Sequence, residues 1–555
     1  MRKKAVVGLL IAALSMGTLL GCQGASQEKE APPQSGETQK QAGDGQEKEA
    51  EGDAAPNPQA EPETSKAGEI TLPLTQEPVT LTVFAAMDSN LTGIINDYNE
   101  NGFFQELEKR TGVHLEFVIP AAGNEKEAYN LMIASGELTD IITHNGYNYP
   151  EGLDAAVDDG YYLDLTPYLD TCLPDYNRVR TGDTLMEKST VTDKGRVVGL
   201  HILYTQTQGP WMGMQIRKDW LDELGLEMPV TYDELEQVLI AFKEKKNAYA
   251  PLSLGTKGTM ETSHALSAGY GVLETFQQVE GKVQYGPMEE GWKEYLTMLN
   301  RWYEEGLIDP DFMTNGGWQV DTGMVLNGET GVWNAMYTMI SQYEADGAME
   351  VVPMTSPVKQ KGDALHIRRE DGFVGNAVTI SADCQYPEIA LKLWNYLYSE
   401  EGSILANYGV EDDTFNYVDG KPQVSDKITA NADYSMSQAQ ALYLMPPSRF
   451  GGLYDWTREL ASVPKKDIKA FDIWGAADDS YIIPGRISYT SQESSERAKI
   501  VAEVTTYMEE NSVKFITGVL DIETGWDTYV EELKNLGVER AIEITQDALD
   551  RFNER

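Results

Sequence analysis

The chain has 555 residues, 44 of them Lys or Arg and 89 of them Asp or Glu, so its formal net charge is −45 at pH 7. This length exceeds one ordinary domain and predicts two or more lobes. So negative a surface repels phosphate backbones and anionic lipid, which argues against nucleic acid as a partner and against electrostatic membrane docking. Three cysteines without paired spacing indicate neither a disulfide scaffold nor a metal site, and we expect no cofactor.

The amino-terminal segment predicts export. Residues 1–21 begin with basic residues and continue with an apolar run of sixteen residues that ends at Leu20. This run is too short for a comfortable membrane span and has the length of a secretory signal peptide. It leads into Leu-Leu-Gly-Cys22, which resembles the bacterial lipobox and implies that Cys22 is lipidated. An ordinary signal peptide followed by a chance cysteine is the alternative.

Residues 22–77 are predicted to form a disordered acidic tether. Between Gln23 and Glu69 there is no Val, Ile, Leu, Met or aromatic residue, so nothing can be buried to offset the ordering entropy. The root-mean-square reach of such a segment is about 35–40 Å. We therefore expect a folded domain held by its lipid at the extracellular face of the bacterial cytoplasmic membrane.

The first folded segment predicts an open α/β sheet. Its periodicity indicates alternating strands and helices: a strand over 79–84, a helix around 103–107, a strand over 113–119, a helix over 125–134 and a short strand at 141–142. Ligands of such sheets bind at the carboxyl ends of the strands. Two loops lie there, 86–90 and 143–149, and both are rich in hydrogen-bonding groups. Their candidate ligand-binding residues are Asp88, Asn145, Tyr147 and Tyr149, although turn formation alone would also explain such residues.

A second unit begins after a predicted strand over 196–204. Thr231 and Glu234 form a capping box that starts an amphipathic helix. Further elements are predicted downstream: a helix carrying Trp292 to Trp302 at packing positions, a strand over 373–380, a helix over 387–399, and helices covering 508–516 and 529–536 with Gly537 as a stop. The last hundred residues are therefore expected to be mostly helical.

Several stretches match one protein family in order and spacing. They are FFQELEKRTGV at 103–113, LMIASGELTDII at 131–142, IRKDWLDELG at 216–225, GETGVW at 328–333 and KFITG at 514–518. Together they resemble the extracellular solute-binding proteins of bacterial ABC importers, in the large oligosaccharide-binding branch that includes maltose- and alginate-binding proteins. The resemblance covers about residues 78–555.

This resemblance implies a periplasmic-binding-protein-like fold: two α/β lobes, a ligand cleft between them and a helical carboxyl-terminal region. We expect lobe 1 to contain 78–208 plus about 375–445, and lobe 2 to contain 209–374 plus about 446–555. The chain should cross between lobes near 205–208, near 373–375 and around 440–450.

The family also implies partners. A carbohydrate ligand is expected, together with separate permease and ATPase subunits, because this chain carries neither signature; the protein itself should be a monomer. Some relatives have a calcium loop after the first helix of the second lobe. Here residues 242–249 run on without that loop, so we predict no structural calcium there.

Aromatic residues supply further ligand-binding candidates, because Trp and Tyr rings pack on sugars while their edges form hydrogen bonds. The candidates are Trp211 after the first crossing, Trp333 in the segment resembling the family's cleft tryptophan motif, and Trp318 and Trp474 in loop-like sequence. A core position is the alternative for each. Arg449 could bind a polar sugar or uronate group, or form a salt bridge between the lobes.

Binding is favoured over catalysis. The chain has no Gly-x-Ser-x-Gly elbow, no His-Glu-x-x-His pair and no phosphate-binding glycine loop. A secreted glycoside hydrolase stays an alternative because two carboxylates at the right separation suffice for that reaction. A peptide-binding lipoprotein is another. Cys172 and Cys384 are expected to be free thiols, with a disulfide between them as the alternative.

Overall fold

The structure is a computed structural model that describes residues 70–143, 148–150, 152–206, 209–254, 264–315, 319–367, 374–446 and 449–555. The predicted signal peptide, Cys22 and nearly all of the predicted tether lie outside these residues.

Within them the chain forms fourteen strands: β1 (Val79–Phe84), β2 (Val113–Val118), β3 (Ile141–Ile142), β4 (Gly199–Tyr204), β5 (Met212–Arg217), β6 (Ala250–Leu252), β7 (Phe276–Val279), β8 (Lys282–Tyr285), β9 (Thr330–Met336), β10 (Val351–Pro353), β11 (Val374–Ile380), β12 (Phe415–Val418), β13 (Lys421–Val424) and β14 (Gly452–Tyr454).

The described segments also form nineteen α-helices: α1 (Gly102–Thr111), α2 (Glu125–Ser135), α3 (Leu153–Asp158), α4 (Pro174–Arg180), α5 (Thr184–Ser189), α6 (Lys218–Leu224), α7 (Tyr232–Lys246), α8 (Glu290–Glu304), α9 (Thr322–Leu326), α10 (Met339–Tyr343), α11 (Pro387–Tyr396), α12 (Glu400–Tyr408), α13 (Asp426–Thr429), α14 (Met436–Tyr443), α15 (Trp456–Ser462), α16 (Lys465–Trp474), α17 (Ser491–Ile516), α18 (Ile522–Asn535) and α19 (Val538–Glu554).

Two sheets organise the described fold. The larger one has the order β14-β4-β11-β3-β1-β2, and only β11 runs against its neighbours. The smaller one has the order β10-β5-β9-β6, with β5 antiparallel to both of its neighbours and β6 parallel to β9. Two further hairpins, β7–β8 and β12–β13, complete the strands of the described segments. We call the larger sheet with its helices lobe 1, and the smaller sheet with its helices lobe 2.

Each sheet has its own hydrophobic core. The lobe 1 core includes Leu81 of β1 and Leu200 of β4, and the lobe 2 core includes Ile216 of β5 and Leu549 of α19. A further cluster contains residues of both sheets, among them Ile202 and Trp333. The two-lobed α/β fold with a helical carboxyl-terminal region is therefore confirmed.

Local sequence signals explain why the elements begin and end where they do. The Asn101 side chain accepts hydrogen bonds from the first turn of α1, and Gly112 ends that helix in a left-handed conformation. The predicted capping box between Thr231 and Glu234 is present at the start of α7. Gly537, with φ of 95°, separates α18 from α19, as the stop signal predicted.

The chain crosses between the sheets three times. It passes from β4 to β5, from β10 to β11, and from β14 through α15 to α16, which packs on β5 and β10. At the third of these passages β14 pairs in parallel with β4, so 452–454 belong to the larger sheet. The lobe bounds and crossing positions given by the sequence stay predictions.

Cys172 and Cys384 are free and buried in the lobe 1 core, in agreement with the sequence prediction. Burial raises the pKa of the Cys384 thiol to about 12, so it stays protonated. None of the helices in the described segments combines the length and apolar character needed to cross a membrane.

Candidate ligand-binding cleft

Two sheet edges define the cleft. The strands β1, β3, β4 and β14 point the same way, and they end at Phe84, Ile142, Tyr204 and Tyr454. In lobe 2 the ends of β6, β9 and β10 lie at the edge where β5 begins, and Met336 pairs there with Met212. The crossings connect these two edges, so the edges lie next to each other. This is where an open α/β sheet presents its ligand-binding loops.

Aromatic side chains line the junction between the two edges. We call Tyr204, Trp211, Tyr337, Tyr454 and Trp456 the aromatic wall. Ring centroids of Tyr204 and Tyr454 are 5.4 Å apart, and Trp211 lies 5.1 Å from Trp456 and 5.8 Å from Tyr337. Tyr204 and Trp211 are only half-buried, whereas the other three rings are buried. The wall therefore presents two partly open rings on a closely packed aromatic base.

Backbone hydrogen bonds hold the wall in place across the crossings. The Tyr337 N–H donates to the Trp211 carbonyl at 3.0 Å, and the Thr205 N–H donates to the Tyr454 carbonyl at 3.0 Å. Because these bonds fix the chain at the start and end of the crossing segments, the two partly open rings have defined positions.

Arg449 contacts the loop of lobe 1 that carries Asp88. The Asp88 carboxylate accepts from the Asn90 backbone N–H at 2.9 Å and from its side-chain amide at 3.1 Å. Arg449 Nη2 donates to the Met87 carbonyl at 3.4 Å. Both partners of that bond lie on the lobe 1 side, so this contact does not join the lobes. Arg449 Nε is buried without a hydrogen-bond partner among the described residues.

Tyr149 lies farther along the same edge. Its ring is 5.4 Å from Tyr161 and 6.0 Å from Tyr162, and its hydroxyl donates to the Asp159 carboxylate at 2.7 Å. It lines a cavity of about 610 Å³ whose other wall is formed by residues 485–494 and the end of α19. The candidates Asn145, Tyr147 and Trp318 lie outside the described residues.

Trp333 lies inside the lobe 2 sheet. The ring is fully buried in the central strand β9, packs edge-to-face on Tyr343 at 5.6 Å and donates from Nε1 to Gln215 Oε1 at 3.2 Å. Because β9 is covered by α10 and flanked by β5 and β6, its side chains point into the molecule. This placement favours the core alternative.

Trp474 is also buried, at the end of α16. Its Nε1 donates to the Met214 carbonyl at 3.1 Å, and its ring covers Gly213 so closely that a Cβ there would lie 2.4 Å from the ring. The glycine is therefore required by the approach of the helix to β5. Here too the structure favours packing over ligand contact.

Local sequence signals miss four members of the aromatic wall: Tyr204, Tyr337, Tyr454 and Trp456. Tyr204 is recognisable only as the last residue of a predicted strand, and no motif distinguishes Tyr337. Tyr454 ends the three-residue strand β14 and Trp456 follows it, and so short a strand is not recognisable without its partner β4.

The site can offer ring faces and hydroxyls to a ligand. No group of three or more His, Cys, Asp or Glu side chains within the described residues is arranged to hold a metal ion. After α7, Asn247 adopts a left-handed conformation and the chain enters β6 at Ala250. The absence of structural calcium stays a prediction.

Comparison with known proteins assigns the chain to a family. The model for bacterial extracellular solute-binding proteins matches residues 91–404, which is more than half of the chain. The chain belongs to this family. This solute-binding protein is 24% identical over 518 residues to the fructooligosaccharide ABC transporter substrate-binding protein FusA of Streptococcus pneumoniae. The alignment covers 87% of this chain and 92% of FusA.

Two further proteins are similar to this solute-binding protein, one in sequence and one in structure. Lipoprotein LipO of Bacillus subtilis is 24% identical, covering 78% of this chain and 85% of LipO. A solved HMO-binding, ABC-transporter-associated solute-binding protein from Bifidobacterium longum infantis superposes with a TM-score of 0.68 at 20% identity, covering 86% of this chain and 99% of that one. The last comparison supports the fold alone.

Proposed function

We propose that the protein captures a carbohydrate, an oligosaccharide, in the cleft between its lobes and delivers it to the separate permease and ATPase subunits of an ABC importer. The observation that carries this proposal is the likeness to FusA along 87% of the chain, within a family of solute-binding proteins. In this proposal the protein binds its ligand without converting it.

The aromatic wall supports a sugar as the ligand. Pyranose and furanose rings have apolar C–H faces that pack on indole and phenol rings, and hydroxyl edges that need hydrogen-bond partners. Tyr204 and Trp211 supply partly open rings, and the half-buried Tyr149 places a further ring and hydroxyl along the same edge. Such a row of rings and polar groups suits an extended oligosaccharide better than a single sugar.

Lipid anchoring is the second part of the proposal. Residues 1–21 would act as the signal peptide, Cys22 would carry the lipid, and residues 22–77 would hold the folded monomer off the extracellular face of the membrane. The likeness to lipoprotein LipO supports this arrangement.

Isothermal titration against fructooligosaccharides, maltooligosaccharides, uronate oligosaccharides and mixed peptides tests the proposal. We expect saturable binding of at least one oligosaccharide class, no binding of peptides, and intact sugar recovered by chromatography. Binding of peptides alone would refute the carbohydrate assignment, and recovery of shortened sugar would indicate a hydrolase.

A pair of variants tests whether the sugar binds at the aromatic wall. Trp211→Ala should weaken binding of that sugar by about 2 kcal/mol, or roughly thirtyfold, because it removes a rigid partly open ring. Tyr249→Ala is the matched control: Tyr249 is an exposed aromatic residue before β6, at the opposite edge of the lobe 2 sheet. Equal affinities of both variants and the wild type would rule out the aromatic wall as the binding surface.

A further inference from the structure

A second contact between the lobes is made by side chains outside the crossing segments, and Arg486 joins it to the start of β11 by donating to the Gly375 carbonyl. On the lobe 1 side it involves the loop after α5, and the flanking Met186 and Val197 are buried in the lobe 1 core. On the lobe 2 side it involves the segment before α17 and the end of α19, whose Leu549 is buried in the lobe 2 core. The contact therefore joins two bodies that have separate cores.

Asp193 is the centre of this contact. Arg555 donates to Oδ1 of its carboxylate from Nε at 3.0 Å and from Nη2 at 2.6 Å. Arg551 Nε at 3.2 Å and Ser488 Oγ at 2.8 Å donate to Oδ2. Burial raises the pKa of this carboxyl, but the hydrogen bonds from Arg555 and Ser488 outweigh burial and hold the pKa below its ordinary value. Asp193 is therefore ionised, and both of its carboxylate oxygens accept hydrogen bonds from lobe 2.

Arg555 is buried in the contact, with 3% of its side chain exposed. Its Nη1 donates to the Lys188 carbonyl of lobe 1 at 3.2 Å and to the Arg486 carbonyl at 3.1 Å. In return, Lys188 Nζ donates to the Asn553 carbonyl at 2.5 Å. Hydrogen bonds therefore run in both directions between the lobes, and most of them involve a charged group, which makes them strong.

The cavity of about 610 Å³ lies beside this network. One wall is formed by lobe 1 residues, including Asp154 and Thr190, and the other by Tyr489 and Ser494 of the lobe 2 segment, with Asp193, Arg551 and Arg555 among the lining residues. Rotation of one lobe about the crossings would separate these walls and break the network at once.

We propose that Asp193, Ser488, Arg551 and Arg555 form a latch that holds the two lobes in this arrangement and keeps the cavity between them closed. The crossing segments would allow hinge rotation between the lobes. Hydrogen bonds and ion pairs that join the lobes outside those segments resist this rotation. The latch does not depend on the identity of the solute.

Asp193→Asn tests the latch in the full-length protein, and Asp158→Asn is its matched control. Asp158 also lines the cavity and is ion-paired, but its partners Lys194 and Arg196 both belong to lobe 1. For Asp193→Asn we expect a larger radius of gyration in small-angle scattering. We also expect hydrogen exchange about tenfold or more faster at the backbone of Arg555, whose N–H donates to the Phe552 carbonyl, because local opening sets that rate. The control should change neither.

Ser488→Ala gives a milder disruption if Asp193→Asn unfolds, which circular dichroism would reveal. It removes hydrogen bonds from the network but no charge, so exchange should accelerate by less than in Asp193→Asn. Unchanged scattering and exchange in a folded Asp193→Asn protein would overturn the latch, as would an unchanged Ser488→Ala protein when Asp193→Asn is unfolded. An equal response of Asp158→Asn would also overturn it, because the effect would then come from lost charge and not from contact between lobes.

Discussion

Trp333 shows how the environment of a single side chain decides its role. Its sequence context, a turn followed by a short strand, is equally suited to a ring at a cleft edge and a ring in a core. In the structure the ring has no exposed surface, and its one polar atom is satisfied by Gln215, which is itself buried. A ring enclosed in this way stabilises the fold.

Truncation of this ring should therefore act on stability. Trp333→Ala is expected to lower the free energy of unfolding by about 3–5 kcal/mol, because it leaves a cavity and removes the hydrogen-bond partner of Gln215. Affinity of the folded fraction for its sugar should be nearly unchanged. Chemical denaturation and titration of the same variant measure both quantities. A variant of normal stability that no longer binds sugar would show that Trp333 contacts the ligand.

The buried side chain of His201 makes the stability of the fold depend on pH. It is 1% exposed on β4, with Nδ1 2.8 Å from the Tyr176 hydroxyl. Burial, with additional repulsion from Arg486 and Arg180, lowers its pKa well below the usual 6.5. The unfolded chain therefore binds a proton below pH 6.5 that the folded protein does not bind. The stabilisation from neutral His201 is complete above pH 6.5 and is lost progressively as the pH falls below it.

Unfolding experiments between pH 7 and about 5 test this linkage. We expect the free energy of unfolding to decrease by up to about 1.4 kcal/mol per pH unit below 6.5. His201→Asn, which cannot be protonated, should show a shallower decrease over the same range. Identical slopes for the wild type and the variant would assign the pH dependence to other groups.

At the scale of secondary-structure elements, the sequence predicts those whose bounds are set by residues close together in the chain. The predictions for β1, α1, β2, α2 and β3 lie close to the observed bounds, because each element has its own periodicity and the two helices end at glycines. The same holds for α7, whose capping box forms as expected. These signals depend on residues only a few positions apart.

Elements that depend on distant partners were not predictable in this way. β14 has three residues, and only its pairing with β4, some 250 positions earlier, makes it a strand of lobe 1. The aromatic wall depends on that same pairing, since Tyr454 and Trp456 approach Tyr204 and Trp211 only once β14 is in place. Arg449 likewise reaches Met87 through tertiary contacts that no local pattern encodes.

At the scale of the whole molecule, charge and topology restrict how the protein can stay at a membrane. A net charge of −45 opposes adsorption to anionic lipid, and no helix in the described segments is suited to cross a bilayer. Residues 23–69 contain no large apolar side chain that could insert. The proposed lipid on Cys22 can be tested directly at that residue.

Cys22→Ser should therefore release the protein into the medium, whereas the wild type should sediment with membranes. Feeding cells a palmitate analogue should label the wild type and leave the variant unlabelled, since serine provides no thiol for acylation. The alternative of an ordinary signal peptide makes a different prediction, because the wild type itself would then be found in the medium without lipid. Membrane association of an unlabelled Cys22→Ser protein would contradict anchoring through this residue. Intact mass of the wild type, measured after extraction in detergent, should show a chain that begins at Cys22 and carries the added acyl mass.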